Sequence, residues 1–233
     1  MRLHRFYINS EISSNENVLI PGERLLNQWR NVFRYGAGDR VILFDGSGLD
    51  FLCEIKKIGK EKADLSILNK TPGVVPEKEI WLFISLIKKD KLEWVAEKAT
   101  ELGVSHVVPV LSERSEKKNF NAERLKKIII EASEQCGRSN IPVLHEMVIF
   151  NEALAFCAKN KIKALAFDSK GSAPKVSNYK LQVLSLFIGP EGGFTEKELF
   201  EFASHGVQLF TLGKLTLRTE TAAVSILSLA TLI

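Results

Sequence analysis

The spacing of apolar positions changes character near residue 76. Before it, short apolar runs dominate: Leu3–Ile8, Val41–Phe44, Phe51–Ile55 and Ala63–Leu68 predict strands, parted by the turn-forming Asp45-Gly46-Ser47-Gly48 and Gly59-Lys60. One stretch differs, Gly22–Phe33, where Leu25, Leu26, Trp29, Val32 and Phe33 recur at helical spacing. Residues 1–70 are therefore expected to form a small β-rich barrel or meander. Thr71-Pro72-Gly73-Val74-Val75-Pro76 is the best linker in the chain, and residues 71–79 are expected to join it to a second domain over 80–233. Beyond the linker, strands and helices alternate. Ile80–Leu86 is a near-continuous apolar run, as in a strand buried on both faces. Leu92, Val95, Ala96, Ala99 and Leu102 mark a helix that stops at Gly103, and Leu125, Ile128, Ile129 and Ala132 mark another with Asn121 as its cap. Val107–Leu111, Val143–Val148 and Ala164–Phe167 predict further strands and Glu152–Ala158 a helix, so this half predicts an α/β domain on a parallel sheet.

Two stretches near the C-terminus place a glycine loop between a strand and a helix. Val183–Ile188 ends at Gly189-Pro190-Glu191-Gly192-Gly193, where backbone can approach a ligand without side-chain bulk. Thr195 and Glu198 fit the S/T-x-x-E capping box, so a helix should open at Glu196 and turn Leu199, Phe200 and Ala203 inward. Val207–Leu212 repeats the plan: Gly213 breaks the strand, and Thr219 is placed to cap a helix from Glu220 toward Leu232. That last helix is apolar on nearly every side, so it is deeply buried or faces another subunit.

Composition adds limits. The 233 residues, 45% hydrophobic and 26% charged, belong to an ordinary soluble chain of one or two domains. A formal charge of +4 permits an anionic partner such as RNA without demanding one. Cys53, Cys136 and Cys157 are scattered without metal-ligand spacing, so reduced thiols and no metal site are expected, and no apolar run approaches membrane length. A cytoplasmic protein is expected. Two function classes stay open here: a non-catalytic RNA-binding protein, and a nucleotide-phosphate enzyme. The second lacks both G-x-x-x-x-G-K-[ST] and G-x-G-x-x-G, and Glu191 in the loop would repel phosphate.

"FIGPEGGFTEKEL" (187–199) and "LGKLTLRTETAAVSIL" (212–227) closely resemble the signature segments of the bacterial enzymes that methylate N3 of a uridine in 16S ribosomal RNA, a family of the SPOUT superfamily. "HRFYI" (4–8), "NVFRYGAGDRVILFDGSG" (31–48), "EKATELGV" (97–104), "SERS" (112–115) and "EASEQCGRSNIP" (131–142) carry the likeness through the rest of the chain. The family commonly has a His where this chain has Gln28. The resemblance implies a PUA-like RNA-binding barrel, a C-terminal domain threaded as a deep trefoil knot, a homodimer through that knotted domain, S-adenosylmethionine as methyl donor, and 16S ribosomal RNA or the small subunit as substrate.

It also implies site residues. Leu186, Ile188, Gly189, Pro190, Glu191, Gly192, Gly193, Leu212, Gly213, Leu215, Leu217, Thr219, Thr221 and Ala222 would hold the donor, the glycine loops by backbone polar groups and the leucines and isoleucine as apolar walls. Arg218 would stabilise charge developing on the uracil carbonyls, and Glu191 and Glu220, the carboxylates of the two loops, are candidates to serve as base or instead to orient the donor or the knot. Arg5, Arg34, Arg114 and Arg138 would contact RNA, because a guanidinium fork suits phosphate oxygens and base edges.

Overall fold

The computed structural model describes residues 3–12, 17–175 and 180–232. The chain divides into two units, Met1–Val75 with Ser133–Ile141, and Pro76–Ala132 with Pro142–Ile233. In the first, the order is β1 (Arg5–Tyr7), β2 (Asn17–Pro21), α1 (Glu23–Gln28), β3 (Arg40–Phe44), β4 (Leu49–Ile58) and β5 (Lys62–Pro72). The sheet runs β1-β3-β4-β5-β2, with β1 parallel to β3 and the other neighbours antiparallel. β4 shows why the period-2 reading works, since Phe51, Cys53 and Ile55 are buried in alternation with half-buried residues. β2 was not expected from the sequence. It lies at the sheet edge, where Leu19 is 59% exposed and Ile20 only 1%, and so short a run over one covered face gives little signal.

The helical spacing over Gly22–Phe33 is shared by α1 and a π-helical turn, Trp29–Phe33. The turn ends at Arg34, which takes a left-handed φ of 57° while Tyr35 N–H donates to Trp29 O at 2.9 Å. Segment 133–141 joins this unit by polar bonds. Arg5 donates to both Asp50 carboxylate oxygens at 2.5 and 2.7 Å and to Ser139 Oγ at 2.9 Å, and Ser139 N–H donates to Val74 O at 2.7 Å. A Cβ on Gly73 would lie 1.9 Å from Ser139 Oγ, so this approach admits only glycine.

The second unit contains β6 (Glu79–Ser85), α2 (Lys89–Glu101), β7 (His106–Leu111), most of α3 (Ala122–Cys136), β8 (Val143–Leu144), β9 (Val148–Ile149), α4 (Phe150–Lys159), β10 (Lys163–Ser172), β11 (Val183–Ile188), α5 (Glu196–Ser204), β12 (Gln208–Phe210) and α6 (Thr219–Leu232). Its seven-stranded sheet runs β12-β10-β11-β6-β7-β8, with β9 also on β7, and every pair is parallel. β6 and β11 lie at its centre and are buried almost throughout, which accounts for their unbroken apolar runs. The strand expected over Val143–Val148 is instead two short pieces on β7, because residues 145–147 face only residues 108 and 109 and the extra residue interrupts the ladder. α5 has the expected capping box, Thr195 Oγ1 accepting from Glu198 N–H at 3.2 Å and Thr195 N–H donating to Glu198 Oε2 at 2.8 Å. α6 differs by one residue: Ala222 N–H donates to Arg218 O at 2.9 Å, so Arg218 rather than Thr219 stands at the cap position.

At the opening ends of β6 and β7, Trp81 and His106 stack with ring centres 3.6 Å apart, and His106 Nδ1 lies 3.0 Å from His145 Nε2. Trp81 Nε1–H donates to Glu79 Oε1 at 2.7 Å. Burial pushes both imidazoles below the ordinary value of 6.5; His145 adds to this at His106 and Glu79 opposes it. A histidine harder to protonate folded than unfolded contributes stability that is complete above the unfolded pKa and is lost as pH falls below it. The melting temperature should therefore decline on acidification below about pH 6.5, and His106→Gln should flatten that decline. Equal pH slopes for wild type and variant would show that the pair contributes nothing.

Candidate functional site

The C-terminal ends of β10, β11 and β12 border a cleft of about 470 Å³, in the position where open parallel sheets take ligands. β11 delivers Ile188 into the first glycine loop. There Gly193 N–H donates to Pro190 O at 2.8 Å and Gly193 adopts φ 67°, a left-handed turn that favours glycine. A Cβ on Gly193 would lie 3.4 Å from Asp168 Oδ2, and one on Gly189 would lie 3.2 Å from the Phe194 ring. The loop is thus a cradle of bare backbone with little room for side chains.

The turn after β7 buttresses this loop. Arg114 Nη1 donates to Gly192 O at 2.8 Å and to Phe194 O at 3.4 Å. Beside it, Glu113 N–H donates to Glu198 Oε1 at 2.9 Å and Thr195 Oγ1 to Glu113 Oε2 at 2.9 Å. Lys170, past the end of the apolar part of β10, pairs with Glu196 on the far side. Arg114, expected on the RNA, therefore lines the cleft and spends donors on loop carbonyls.

Of the residues expected around a donor, Ile188, Gly189, Pro190, Glu191, Gly192, Gly193, Leu212, Leu215, Leu217, Thr219 and Ala222 line the cleft together with Arg218. Leu186, Gly213, Thr221 and Glu220 do not. Leu186 is 0% exposed, two residues before the strand end and sealed inside the sheet. Gly213 supplies an open turn at φ 129°, and Thr221 faces solvent. Sequence reasoning missed Phe167, Asp168, Ser169 and Lys170, which enter because β10 pairs in parallel with β11 and stops its apolar run opposite Ile188. The polar triplet after Ala164–Phe167 was the available signal.

Electrostatics separates the charged candidates. Arg218 is exposed on the cleft, and among the described residues no carboxylate pairs with it within 4.0 Å. Glu220 is 8% exposed, and Lys91 Nζ stands 2.8 Å from its Oε1. Burial alone would raise the Glu220 carboxyl, but the Lys91 hydrogen bond, its own backbone N–H and the charges of Lys91 and Arg218 hold it below the ordinary carboxylate value. Glu191 lies exposed in the loop. In the first unit, Arg5 is consumed by Asp50 and Ser139. Arg138 is 3% exposed, donates from Nε to Asn140 Oδ1 at 3.1 Å, and is pulled down to about 10 by burial. Neither is a surface arginine; Arg34 is exposed.

Residues 75–231 match the family model described as an RNA methyltransferase domain, and residues 30–68 match the RNA methyltransferase PUA domain. The ribosomal RNA small subunit methyltransferase E of Aquifex aeolicus is 31% identical over 187 residues, covering 78% of this chain and 81% of its own length. That of Rickettsia conorii is 28% identical over 230 residues, covering 97% and 93%. A crystal structure of the Neisseria gonorrhoeae enzyme of this name, bound to S-adenosyl methionine, superposes with a TM-score of 0.87 at 30% identity, covering 97% of this chain and 96% of that one. On the strength of these matches over nearly its whole length, the chain belongs to the RNA methyltransferase family that includes the ribosomal RNA small subunit methyltransferases E.

Proposed function

We propose that this protein transfers a methyl group from S-adenosylmethionine to N3 of a uridine in 16S ribosomal RNA of the small subunit. The observation that carries the reading is the bare-backbone cradle of Gly189–Gly193 with the exposed Arg218, which makes no ion pair within 4.0 Å among the described residues, on the same cleft. The cradle fits the donor, because side-chain-free N–H and C=O groups can meet the polar edges of adenine and ribose while Ile188, Leu215 and Leu217 supply apolar wall. When bound, S-adenosylmethionine supplies a methyl carbon on a sulfonium sulfur, a good leaving group.

The chain's own residues do the rest. As N3 loses its proton, negative charge spreads over the flanking carbonyl oxygens, and the Arg218 guanidinium at the head of α6 is placed to stabilise it, reinforced by the positive end of that helix. Glu191 is the cleft-lining loop carboxylate available to accept the proton. Glu220, held ionised by Lys91 and off the cleft, serves to fix α2 to the start of α6. The exposed Arg34 of the first unit is the RNA contact that this reading favours. The exposures of Leu215, 82%, and Leu232, 84%, agree with a homodimer through the C-terminal domain, which we also propose is threaded as a trefoil knot and works in the cytoplasm. Among the described residues no helix is long and apolar enough to cross a membrane.

Calorimetry and modification mapping test the reading together. S-adenosylmethionine should bind where ATP does not, and ribosomal RNA from cells lacking the protein should lose one N3-methylated uridine of the small subunit. ATP binding in place of the donor, or an unchanged methylation map, overturns it.

A further inference from the structure

A second cleft, of about 660 Å³, opens where the loop after β7 meets the first turns of α2 and α3. Its floor is apolar: Ile87, Leu92 and Leu125 are 1%, 3% and 2% exposed, and the half-buried Phe120 stands beside them. Its rim is polar and carries Lys89 and Lys117, the exposed amides of Asn119 and Asn121, and Glu123, whose carboxylate pairs with Lys126 at 3.2 Å. Asn121 Oδ1 accepts from Arg124 N–H at 2.9 Å, which fixes that amide at the head of α3. In the wall, Glu93 Oε2 accepts from Arg124 Nε–H at 3.4 Å, whereas Oε1 is buried and accepts no hydrogen bond among the described residues; Lys89 Nζ, at 3.8 Å, is beyond hydrogen-bond reach. A buried acceptor without a donor is an unmet demand that an entering N–H could satisfy.

An apolar floor with a ring at its side, amides at the rim and ammonium groups at the mouth suits a planar heterocycle joined to a phosphate. The position of the cleft says which one. Lys91 lies between Lys89 and Glu93 at the start of α2, and its Nζ holds Glu220, whose chain neighbour Thr219 lines the first cleft. The start of α2 thus borders the second cleft and is bonded to the start of α6 beside the first, and the loop after β7 puts Arg114 on the first cleft and Lys117 on the second.

We infer that this second cleft binds a base of the RNA flanking the uridine that is methylated, stacking it on Phe120, with Lys89 and Lys117 on its phosphate and a ring or exocyclic N–H of the base directed to Glu93. The inference rests on the function proposed above and adds a subsite to it. Holding a flanking base out of the stack fixes the register in which the target enters, so the cleft contributes to RNA affinity and leaves the methyl-transfer step alone.

The test uses the full-length protein with small subunits isolated from cells lacking it. Base stacking on one aromatic ring predicts that Phe120→Ala raises KM for the RNA substrate roughly tenfold, with kcat and S-adenosylmethionine affinity as in wild type. Lys117→Ala, on an exposed residue that folding does not need, should raise the same KM and lower its salt dependence. A single-stranded RNA carrying 4-thiouridine beside the target should crosslink to the peptide 117–125, a readout that does not depend on methylation. If wild type binds neither donor nor RNA, the proposed function fails. If wild type methylates but both variants keep the wild-type RNA KM and no crosslink falls in 117–125, the subsite fails. Conversion of a dimer to monomers by Phe120→Ala would also overturn it, by assigning the cleft to a second copy of the chain.

Discussion

Arg218→Ala should lower single-turnover methylation by roughly a hundredfold, the cost of about 3 kcal/mol that follows loss of one charge-stabilising donor, while leaving donor affinity and melting temperature close to wild type. The expectation follows from the position of the side chain. It lies exposed on the cleft, no carboxylate pairs with it within 4.0 Å among the described residues, and its backbone carbonyl, which truncation keeps, makes the helix-opening bond to Ala222 N–H. A group acting on charge that appears only as the N3 proton leaves is a transition-state contact, so its removal shows in kcat more than in either ligand's binding. Arg218→Lys should recover part of the rate, because an ammonium keeps the charge and loses the planar fork. A variant that melts early and binds donor poorly would instead make Arg218 a structural residue of the loop.

The sequence was informative where local chemistry decides local structure. Val183–Ile188 is a strand with those bounds, and Thr195 with Glu198 caps the next helix as the spacing requires. It was uninformative where a tertiary partner decides. The segment 133–141 ends a well-formed helical pattern, yet it joins the first unit because Ser139 bonds to Arg5 and Asp50, 134 and 89 residues away in the chain. Arg5 and Arg138 stand in motif-like segments, and motif position cannot tell a guanidinium facing phosphate from one facing Asp50 or Asn140, since the same donors serve both. Arg114 shows the same ambiguity, its fork meeting backbone carbonyls of the glycine loop. Lys91 reads as one lysine of a solvated run, and only the fold brings it to Glu220. Leu186 was expected as an apolar wall of the donor site, but the cleft begins only where β11 ends.

Gly193→Val should weaken S-adenosylmethionine binding by roughly ten- to a hundredfold, the equivalent of the 1–3 kcal/mol stored by a residue forced into left-handed backbone. At φ 67° a β-branched side chain is strained whatever space surrounds it, and its Cβ would lie 3.4 Å from Asp168 Oδ2, with the branch atoms reaching further. The backbone can relieve that strain only by turning φ negative, which breaks the Gly193 N–H bond to Pro190 O that closes the cradle. Gly192 is the informative control. Its φ is not left-handed, and a Cβ there would lie 3.3 Å from Arg114 Cδ, part of a flexible side chain. Gly192→Ala needs only a shift of a few tenths of an ångström at Arg114, so its donor affinity should fall less than that of Gly193→Val; Gly192→Val should fall between the two by crowding the Arg114 bonds to Gly192 O and Phe194 O. Calorimetric titration of all three variants, with circular dichroism to verify that each remains folded, ranks them. Wild-type affinity in folded Gly193→Val would mean that the loop between β11 and α5 does not hold the donor.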